Sequence, residues 1–223
     1  MKEENNKVID KSSLQGGGRI TLENIGKRFN KEWIFRNVSY EFEMGNKYSI
    51  LGTNGSGKST LLQIIAGSLS QTEGKIQYNA PSLKGEENQS PFMEVGLAAP
   101  YLELPEEMTW KEAVKFHGKF KKFVEGFEDE KIIELSGLKS SAEKEIRNFS
   151  SGMKQRAKLS LAILSDTPLL LLDEPATNLD ANAVKWYQHL IIEFAKEKLV
   201  IVCSNYNNEE YSFCKKELVL ANV

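Results

Sequence analysis

The residues with the clearest chemical pattern form a glycine-rich segment at 52–59. They match the spacing G-x-x-x-x-G-K-[ST] at every fixed position, between a β-prone run and a helical run. Glycines in such a segment let successive main-chain N–H groups point at phosphate oxygens, and the following helix adds the positive end of its dipole. We expect Lys58 to bind the β- and γ-phosphates of a nucleotide and Ser59 to be a Mg²⁺ ligand. The residues predicted to bind the nucleotide here are Gly52, Thr53, Asn54, Gly55, Ser56, Gly57, Lys58, Ser59 and Thr60.

A second chemical pattern is an acidic pair after an apolar run. Four leucines at 169–172 show no polar alternation, which is typical of a strand buried on both faces of a parallel sheet. Asp173 and Glu174 follow, at the strand end where open α/β sheets hold their ligands. We expect Asp173 to hold Mg²⁺, directly or through water, and Glu174 to be the general base that accepts a proton from an attacking water. A strand that merely ends in charged residues is the alternative, and the glycine-rich segment argues against it.

Composition excludes several classes of protein. The net charge of −2 gives no overall attraction to nucleic acid, so we expect no nucleic-acid partner. No apolar run approaches the roughly 20 residues of a membrane span, and the polar N-terminus lacks a signal-peptide core, which predicts a cytoplasmic protein. Neither the cysteines, Cys203 and Cys214, nor the histidines, His117 and His189, have the spacing of a metal site.

The remaining periodicities predict an α/β protein. Residues 20–25 and 38–42 alternate apolar and polar, which favours an antiparallel sheet beside the nucleotide-binding core. Asp180 has the side chain and position of a helix cap, and Val184 and Tyr187 lie on the apolar face of that helix. The other predicted elements are strands at 47–51, 75–78, 92–98, 199–203 and 217–220, a loop at 79–91, and a helix at 60–66.

Helical periodicity dominates residues 101–149, which we predict to be a helical insertion between core strands. One helix should begin at Thr109 and present a strongly apolar face, with a basic stripe opposite. A solvated face is the commoner explanation of such a stripe, although a membrane or partner surface is the alternative. The apolar positions are Ala113, Phe116, Phe120, Phe123 and Phe127, and the basic ones are Lys111, Lys115, Lys119 and Lys122.

Two further segments give the chain a family resemblance. Residues 149–156, Phe-Ser-Ser-Gly-Met-Lys-Gln-Arg, resemble the signature of the ATP-binding-cassette (ABC) ATPases, usually Leu-Ser-Gly-Gly-Gln at the start of a helix. Residues 175–180, after Glu174, are similar to the D-loop of that family. The chain therefore resembles an ABC transporter nucleotide-binding domain over 19–223, with 1–18 as a flexible leader. The resemblance implies a P-loop NTPase fold: a RecA-like parallel sheet core, an antiparallel β subdomain and an inserted helical subdomain.

The resemblance also implies a mechanism and partners. Such domains bind two ATP molecules between two head-to-tail copies, here two copies of this chain or this chain and a related ATPase. Ser150 and Gly152 would present a hydroxyl and a main-chain N–H to the γ-phosphate held by the other copy, and Asp180 would contact the same interface. Phe29 is expected to stack on adenine, with Trp33 as the rival. The ATPase would power a separate transmembrane permease subunit from the inner face of the cell membrane.

Two elements of the family pattern are missing, and the signature is altered. Pro100 stands where a glutamine normally contacts Mg²⁺ and the attacking water, and proline has no side-chain donor or acceptor. Asn205 stands where a histidine contacts the γ-phosphate; we expect Asn205 to take that catalytic position, but it cannot become cationic. Ser151 and Met153 also replace glycine and glutamine in the signature. We therefore predict tight binding of ATP and Mg²⁺ with slow hydrolysis, since one lost transition-state contact commonly costs about 10²–10³ in rate.

Two other functions remain open at this point. One is a non-transport ABC ATPase of DNA repair or translation, which the lack of a long heptad arm, a second cassette and a basic tail disfavours. The other is a regulatory module whose output is ATP binding. The residues Pro100 and Asn205 favour that function, whereas Glu174 favours retained hydrolysis.

Overall fold

The computed structural model describes residues 18–80 and 94–221, and their strands form two sheets. The strands are β1 Arg19–Phe29, β2 Glu32–Glu43, β3 Lys47–Leu51, β4 Glu73–Asn79, β5 Val95–Ala98, β6 Leu169–Asp173, β7 Leu199–Ser204 and β8 Lys216–Val219. The helices are α1 Lys58–Ile65, α2 Trp110–Gly118, α3 Asp129–Leu135, α4 Ser151–Leu164, α5 Ala181–Phe194 and α6 Asn208–Tyr211. None of the helices in these two ranges is long and apolar enough to cross a bilayer.

The larger sheet has the order β5-β6-β7-β3-β8, and all of its pairings are parallel. Every residue of β6 and β7 is buried, as the uninterrupted apolar runs predict for strands covered on both faces. Since the strands are parallel, their carboxyl ends meet at one edge of the sheet. Asp173 pairs there with Cys203, and Leu51 pairs with Ser204.

The smaller sheet is antiparallel, with the order β2-β1-β4. Ile20 pairs with Phe42 on one side and with Tyr78 on the other. The buried face of this sheet shares a core with α1 and one face of the parallel sheet. The α/β fold class, with its parallel core and antiparallel subdomain, is therefore confirmed.

Two hydrophobic cores lie on opposite faces of the parallel sheet. Because successive side chains of a strand alternate between faces, Leu169 and Leu171 contribute to the core that contains α1. Leu170 and Leu172 contribute to the other core, which contains residues of α2, α3, α4 and α5. The sheet thus separates the helix that follows the glycine-rich segment from the helix that carries the signature-like residues.

The prediction of one long apolar helix from Thr109 is wrong in its extent. Thr109 does cap α2, in a capping box with Glu112, but the helix ends at Gly118. Phe116 and Phe120 are 42% and 61% exposed, and their rings contact each other edge to face. A turn follows, and a short 3-10 segment contains Glu125 at a positive φ of 55°. The helical period therefore breaks before the later phenylalanines. The predicted apolar positions Ala113 and Phe123 are buried, and Phe127 is partly buried.

Smaller differences concern boundaries. The predicted strand at 92–98 is confirmed as Val95–Ala98, with 92–93 outside the described residues. In the predicted loop at 79–91, Asn79 ends β4, and 81–91 lie outside the description. The four lysines of the basic stripe are exposed, and Lys111 pairs with Glu143. The leader, apart from Gly18, also falls outside the described residues, and the division into leader, domain and helical insertion stays a prediction.

Candidate functional site

The glycine-rich segment forms a tight loop between β3 and α1. Gly57 has a φ of 91°, and a Cβ atom at this position would lie 2.6 Å from side-chain atoms of Ile34 and Phe35. A Cβ on Gly52 would lie 2.5 Å from the Ser56 hydroxyl and 2.8 Å from the carbonyl of Leu220. Both positions therefore require glycine, one for its backbone conformation and both for space.

The first turn of α1 contains main-chain N–H groups that make no hydrogen bond within the helix. The helix begins at Lys58, and no side chain caps it. The first helical hydrogen bond runs from the Leu61 N–H to the Gly57 carbonyl, at 2.8 Å. The N–H groups of Lys58, Ser59 and Thr60 precede that bond and have no partner within the helix. Such a helix start is a ready anion site, because the dipole adds to the free donors.

Lys58 closes the loop. Its side chain is buried, and Nζ donates to the carbonyls of Gly52 and Thr53, each at 2.9 Å. An ammonium group has three donors, so one more N–H can reach a phosphate oxygen. The Lys58 ammonium thus lies in the loop that leads into the uncapped start of α1. The binding of a nucleotide by residues 52–60 stays a prediction.

Asp173 lies beside this loop and is 2% exposed. The Ser59 hydroxyl lies near its carboxylate, and Asp173 Oδ1 has no hydrogen-bond partner among the described residues. Burial raises the pKa of Asp173, and the charge of Glu174 adds to the effect, whereas Ser59 and Lys58 oppose it. A hydroxyl and a carboxylate oxygen without a partner are hard oxygen ligands, and they fit a divalent cation such as Mg²⁺.

Glu174 sits at a strained position directly after β6. Its φ is 45°, in the left-handed region that non-glycine residues rarely adopt. Its N–H donates to the Cys203 carbonyl at 3.0 Å, and its carbonyl accepts from the Thr177 N–H at 3.1 Å. These two main-chain hydrogen bonds fix the turn at Glu174. Because of the turn, the Glu174 carboxylate leaves the strand in a different direction from that of Asp173. Backbone strain of this kind is common at functional positions.

The signature-like residues lie at the start of α4, which packs in the other core. Ser150 caps α4, with its Oγ accepting from the Met153 N–H at 3.2 Å, and its own O–H can still donate. Gly152 packs against the loop that follows β6, since a Cβ there would be 2.9 Å from the Asn178 carbonyl. Asp180 caps α5 through the Ala183 N–H at 2.8 Å, as predicted. These residues therefore lie at the starts of α4 and α5, two helices that pack on the face of the sheet opposite α1.

The predicted adenine contacts lie at the turn from β1 to β2. Phe29 ends β1 with 47% exposure, and Lys27 Nζ is 4.9 Å from the centre of its ring. The rival, Trp33, is partly buried, with the guanidinium groups of Arg28 and Arg36 at 5.2 and 4.1 Å from its ring. The two arginines already occupy the surroundings of Trp33. The greater exposure of Phe29 is therefore consistent with the expected role.

Asn205 and Pro100 follow strands β7 and β5, whose carboxyl ends lie at the same edge of the sheet as Asp173. Asn205 is exposed on the loop after β7, two residues beyond Cys203, the partner of Asp173 in the sheet. Pro100 is exposed in the turn after β5. The structure places both near strand ends, and the catalytic position of Asn205 stays a prediction.

Two residues at this edge were missed by sequence reasoning. Tyr101, after Pro100, hydrogen-bonds to Gln63 of α1, and burial together with the charge of Asp173 raises its pKa to about 12. Glu210 is buried and bonds to both Ala176 and Ser204. Neither residue belongs to a recognisable motif; only the proximity of Tyr101 to the end of β5 could have indicated it.

The fold and site define an α/β protein that binds nucleoside triphosphates at the carboxyl edge of a parallel sheet. Comparison with known proteins narrows the class. The ABC transporter family matches residues 35–177, and the chain belongs to that family. Its members are ATP-binding subunits of transporters, and ATP hydrolysis is their general activity.

Relatives and solved structures agree with this assignment. The chain is 30% identical over 194 residues to the uncharacterised ABC transporter ATP-binding protein YybJ of Bacillus subtilis, covering 86% of this chain and 87% of that protein. It is 31% identical to the taurine import ATP-binding protein TauB of Ruegeria pomeroyi, covering 91% and 77%. Dimeric MJ0796, a bacterial ABC transporter cassette, has the same fold, with a TM-score of 0.75, 23% identity and coverage of 90% and 94%.

Proposed function

We propose that this chain is the ATP-hydrolysing subunit of a transporter whose membrane-spanning part is a separate polypeptide. The observation that carries the proposal is the convergence of three groups at one point. The free amides of α1, the Lys58 ammonium and the Ser59–Asp173 pair all face the same end of the parallel sheet. That set of donors and oxygen ligands suits a triphosphate with a divalent cation.

Ser59 and Asp173 would hold Mg²⁺, which when bound neutralises charge on the β- and γ-phosphates. Lys58 binds the same phosphates as a point charge, and the main-chain amides of the loop orient them. Glu174 accepts the proton of the attacking water. Asn205 donates a hydrogen bond on the γ-phosphate side. Phe29 supplies a ring face for adenine.

Closure of two copies completes the proposed site. Most of α4 packs on the face of the sheet opposite α1, and Ser150 and Gly152 lie at the start of α4. This separation supports a site in which a second chain supplies the signature residues. A copy of this chain, or a related ATPase, would donate its signature residues in head-to-tail arrangement, and Asp180 would contact the same interface. ATP then stabilises the closed dimer through its different affinity for the open and closed states.

The membrane partner is inferred from relatives. TauB is named an import ATP-binding protein, and a Rhizobium johnstonii relative that is 29% identical is named Nod factor export ATP-binding protein I. Both directions of transport therefore occur among similar chains. We place this chain on the inner face of the cell membrane, bound to a permease subunit.

Slow hydrolysis is part of the proposal, because Pro100 has no side-chain donor or acceptor and Asn205 cannot become cationic. The same two residues favour the second candidate, a regulatory module whose output is ATP binding. Phosphate release that rises when the chain is joined to a membrane partner, co-purified in detergent, supports the transporter subunit. Release that stays low with the partner bound supports the regulatory module.

Replacement of Glu174 tests the central claim. Glu174→Gln keeps the shape of the side chain but removes the base, so phosphate release should fall about 10²–10³-fold. ATP affinity should remain, because Lys58 and the amides are untouched. Dimers should accumulate with ATP, as measured by analytical ultracentrifugation.

Glu41→Gln is the matched control, since Glu41 is exposed on β2 and pairs with Arg19 at the surface. That variant should hydrolyse ATP as the wild type does. A Glu174→Gln protein that remains monomeric at saturating ATP, or hydrolyses it at the wild-type rate, would disprove the proposed mechanism.

A further inference from the structure

Glu210 is a buried carboxylate where two loops of the active-site edge meet. It lies in α6, a single turn that follows β7, and it is 3% exposed. A carboxylate is costly to bury unless hydrogen bonds replace its hydration. The position of Glu210 therefore depends on specific partners.

Both carboxylate oxygens have such partners. Oε1 accepts from the Ala176 N–H at 3.2 Å, in the loop after β6. Oε2 accepts from the hydroxyl of Ser204, the last residue of β7. The Glu210 carbonyl accepts from the Tyr187 hydroxyl at 2.8 Å, which ties α6 to α5. The Glu210 side chain thus links the loop after β6 to the end of β7. The Tyr187 hydroxyl of α5 holds the main chain of Glu210 in place.

The loop after β6 is also held from its other side. Gln155 of α4 is buried, and its Nε2 donates to the Pro175 carbonyl at 2.9 Å. Adjacent residues, Pro175 and Ala176, are therefore fixed by different helices. With two such bonds, this segment has little freedom to move independently of α4 and α6.

The positions next to these bonds are the predicted catalytic ones. Glu174 lies two residues before Ala176, and Asn205 directly follows Ser204. Burial, opposed by the two hydrogen bonds, raises the pKa of Glu210, and the charges of Glu174 and Asp173 add to the effect. Three carboxyl groups thus lie close together at this edge. Because both oxygens of Glu210 are already bonded, it acts through its partners and not on the reacting atoms.

We propose that Glu210 is a positioning residue for ATP hydrolysis, which through Ala176 and Ser204 fixes the loops that carry Glu174 and Asn205 relative to each other. This inference rests on the proposed function. Nucleotide binding depends on the loop at 52–60, whereas the side-chain hydrogen bonds of Glu210 go to Ala176 and Ser204. Loss of the bridge should therefore lower kcat and leave the KM for ATP unchanged.

Three variants test the proposal in the full-length chain. Glu210→Ala should lower kcat at least tenfold while the KM for ATP stays within twofold. Glu210→Gln should restore most of kcat, since its amide oxygen can accept from Ala176 and its amide nitrogen can donate to Ser204. The control is Glu209→Ala, which removes an exposed carboxylate from the same turn and should leave kcat unchanged. If Glu210→Ala fails to fold, Ser204→Ala removes half of the bridge and should lower kcat in the same way.

Hydrogen exchange supplies a readout that does not require turnover. Amide protection at residues 174–178 should fall in Glu210→Ala and persist in Glu210→Gln. If Glu210→Ala loses amide protection at 174–178 but keeps the wild-type kcat, the positioning role is overturned and the proposed function is not. The same holds if Glu210→Ala is less stable but is otherwise unchanged. A wild-type chain that neither binds nor hydrolyses ATP overturns the proposed function as well, whatever the exchange shows.

Discussion

At the scale of single residues, glycines in this protein are required for two separable reasons, a positive φ and a lack of space for a side chain. Gly57 needs both a positive φ and space, because Ile34 and Phe35 of β2 lie against it. Gly45, in the turn before β3, has a φ of 75°, but a Cβ atom there would meet no described atom within 4 Å. The two glycines therefore allow the cost of backbone conformation to be measured apart from the cost of crowding.

Gly57→Ala should destabilise the chain more than Gly45→Ala does. The left-handed conformation costs an alanine about 1–2 kcal/mol at either position. Crowding should add roughly 1–3 kcal/mol at Gly57 alone, and ATP affinity should fall with it. Urea unfolding and equilibrium ATP binding measure the two effects. Equal losses of stability in the two variants would show that the contact with β2 does not constrain the loop.

At the scale of elements, the C-terminal end of α2 is tied to that of α4 by a buried polar contact. His117 Nε2 lies 2.7 Å from the Ser165 hydroxyl, which itself donates to the Leu161 carbonyl, so the imidazole must be the donor. Lys198 donates to the Ile163 carbonyl at 2.8 Å, and a cation at the end of a helix is favourable. Burial, and then Lys121, lower the pKa of His117 to about 4.

The burial of His117 should make stability depend on pH. Below pH 6.5 the unfolded chain protonates His117 while the folded chain does not, so stability falls as the pH drops from 6.5 toward 4. Between pH 7 and pH 5 this residue should account for a loss of up to about 2 kcal/mol. His117→Gln keeps a donor but cannot titrate, so its unfolding free energy should vary less over that range.

His189→Gln is the matched control, since that imidazole is exposed and pairs with Glu193 on the surface of α5. Its pH dependence in denaturant titrations should follow the wild type. If the unfolding free energy of His117→Gln falls with pH as steeply as that of the wild type, the burial of His117 is not the origin of the pH dependence.

At the scale of the whole molecule, the parallel sheet divides the proposed ATP-binding residues into two sets. Lys58 begins α1, which packs in one core, whereas Ser150 and Gly152 lie at the start of α4, which packs in the other. The head-to-tail dimer proposed above would unite one set from each chain, and two sites would form by symmetry. This arrangement predicts that two inactive variants can complement each other.

The pair for that experiment is Glu174→Gln and Ser150→Asp. Asp is a good helix cap, so α4 should keep its stability, while the added carboxylate repels the γ-phosphate. Each variant alone should be nearly inactive. In an equal mixture half of the dimers are mixed and hold one intact site of two, so about a quarter of wild-type activity should return. Phosphate release measures the recovery, and a mixture as inactive as its components would contradict the shared site.

The sequence by itself determined the motifs and most strands, because local spacing encodes them. The pattern at 52–59 specifies a phosphate loop, and uninterrupted apolar runs such as 169–172 specify strands buried on both faces. Only the tertiary structure revealed Glu210, since its partners lie 34 and 6 residues away and belong to no motif. It also decided where α2 ends. Phenylalanine spacing favours a longer helix, but Gly118 and the turn after it bring Phe123 into the core and leave Phe120 in solvent. Sequence periodicity indicates which residues share a helical face, whereas tertiary packing determines where the helix ends.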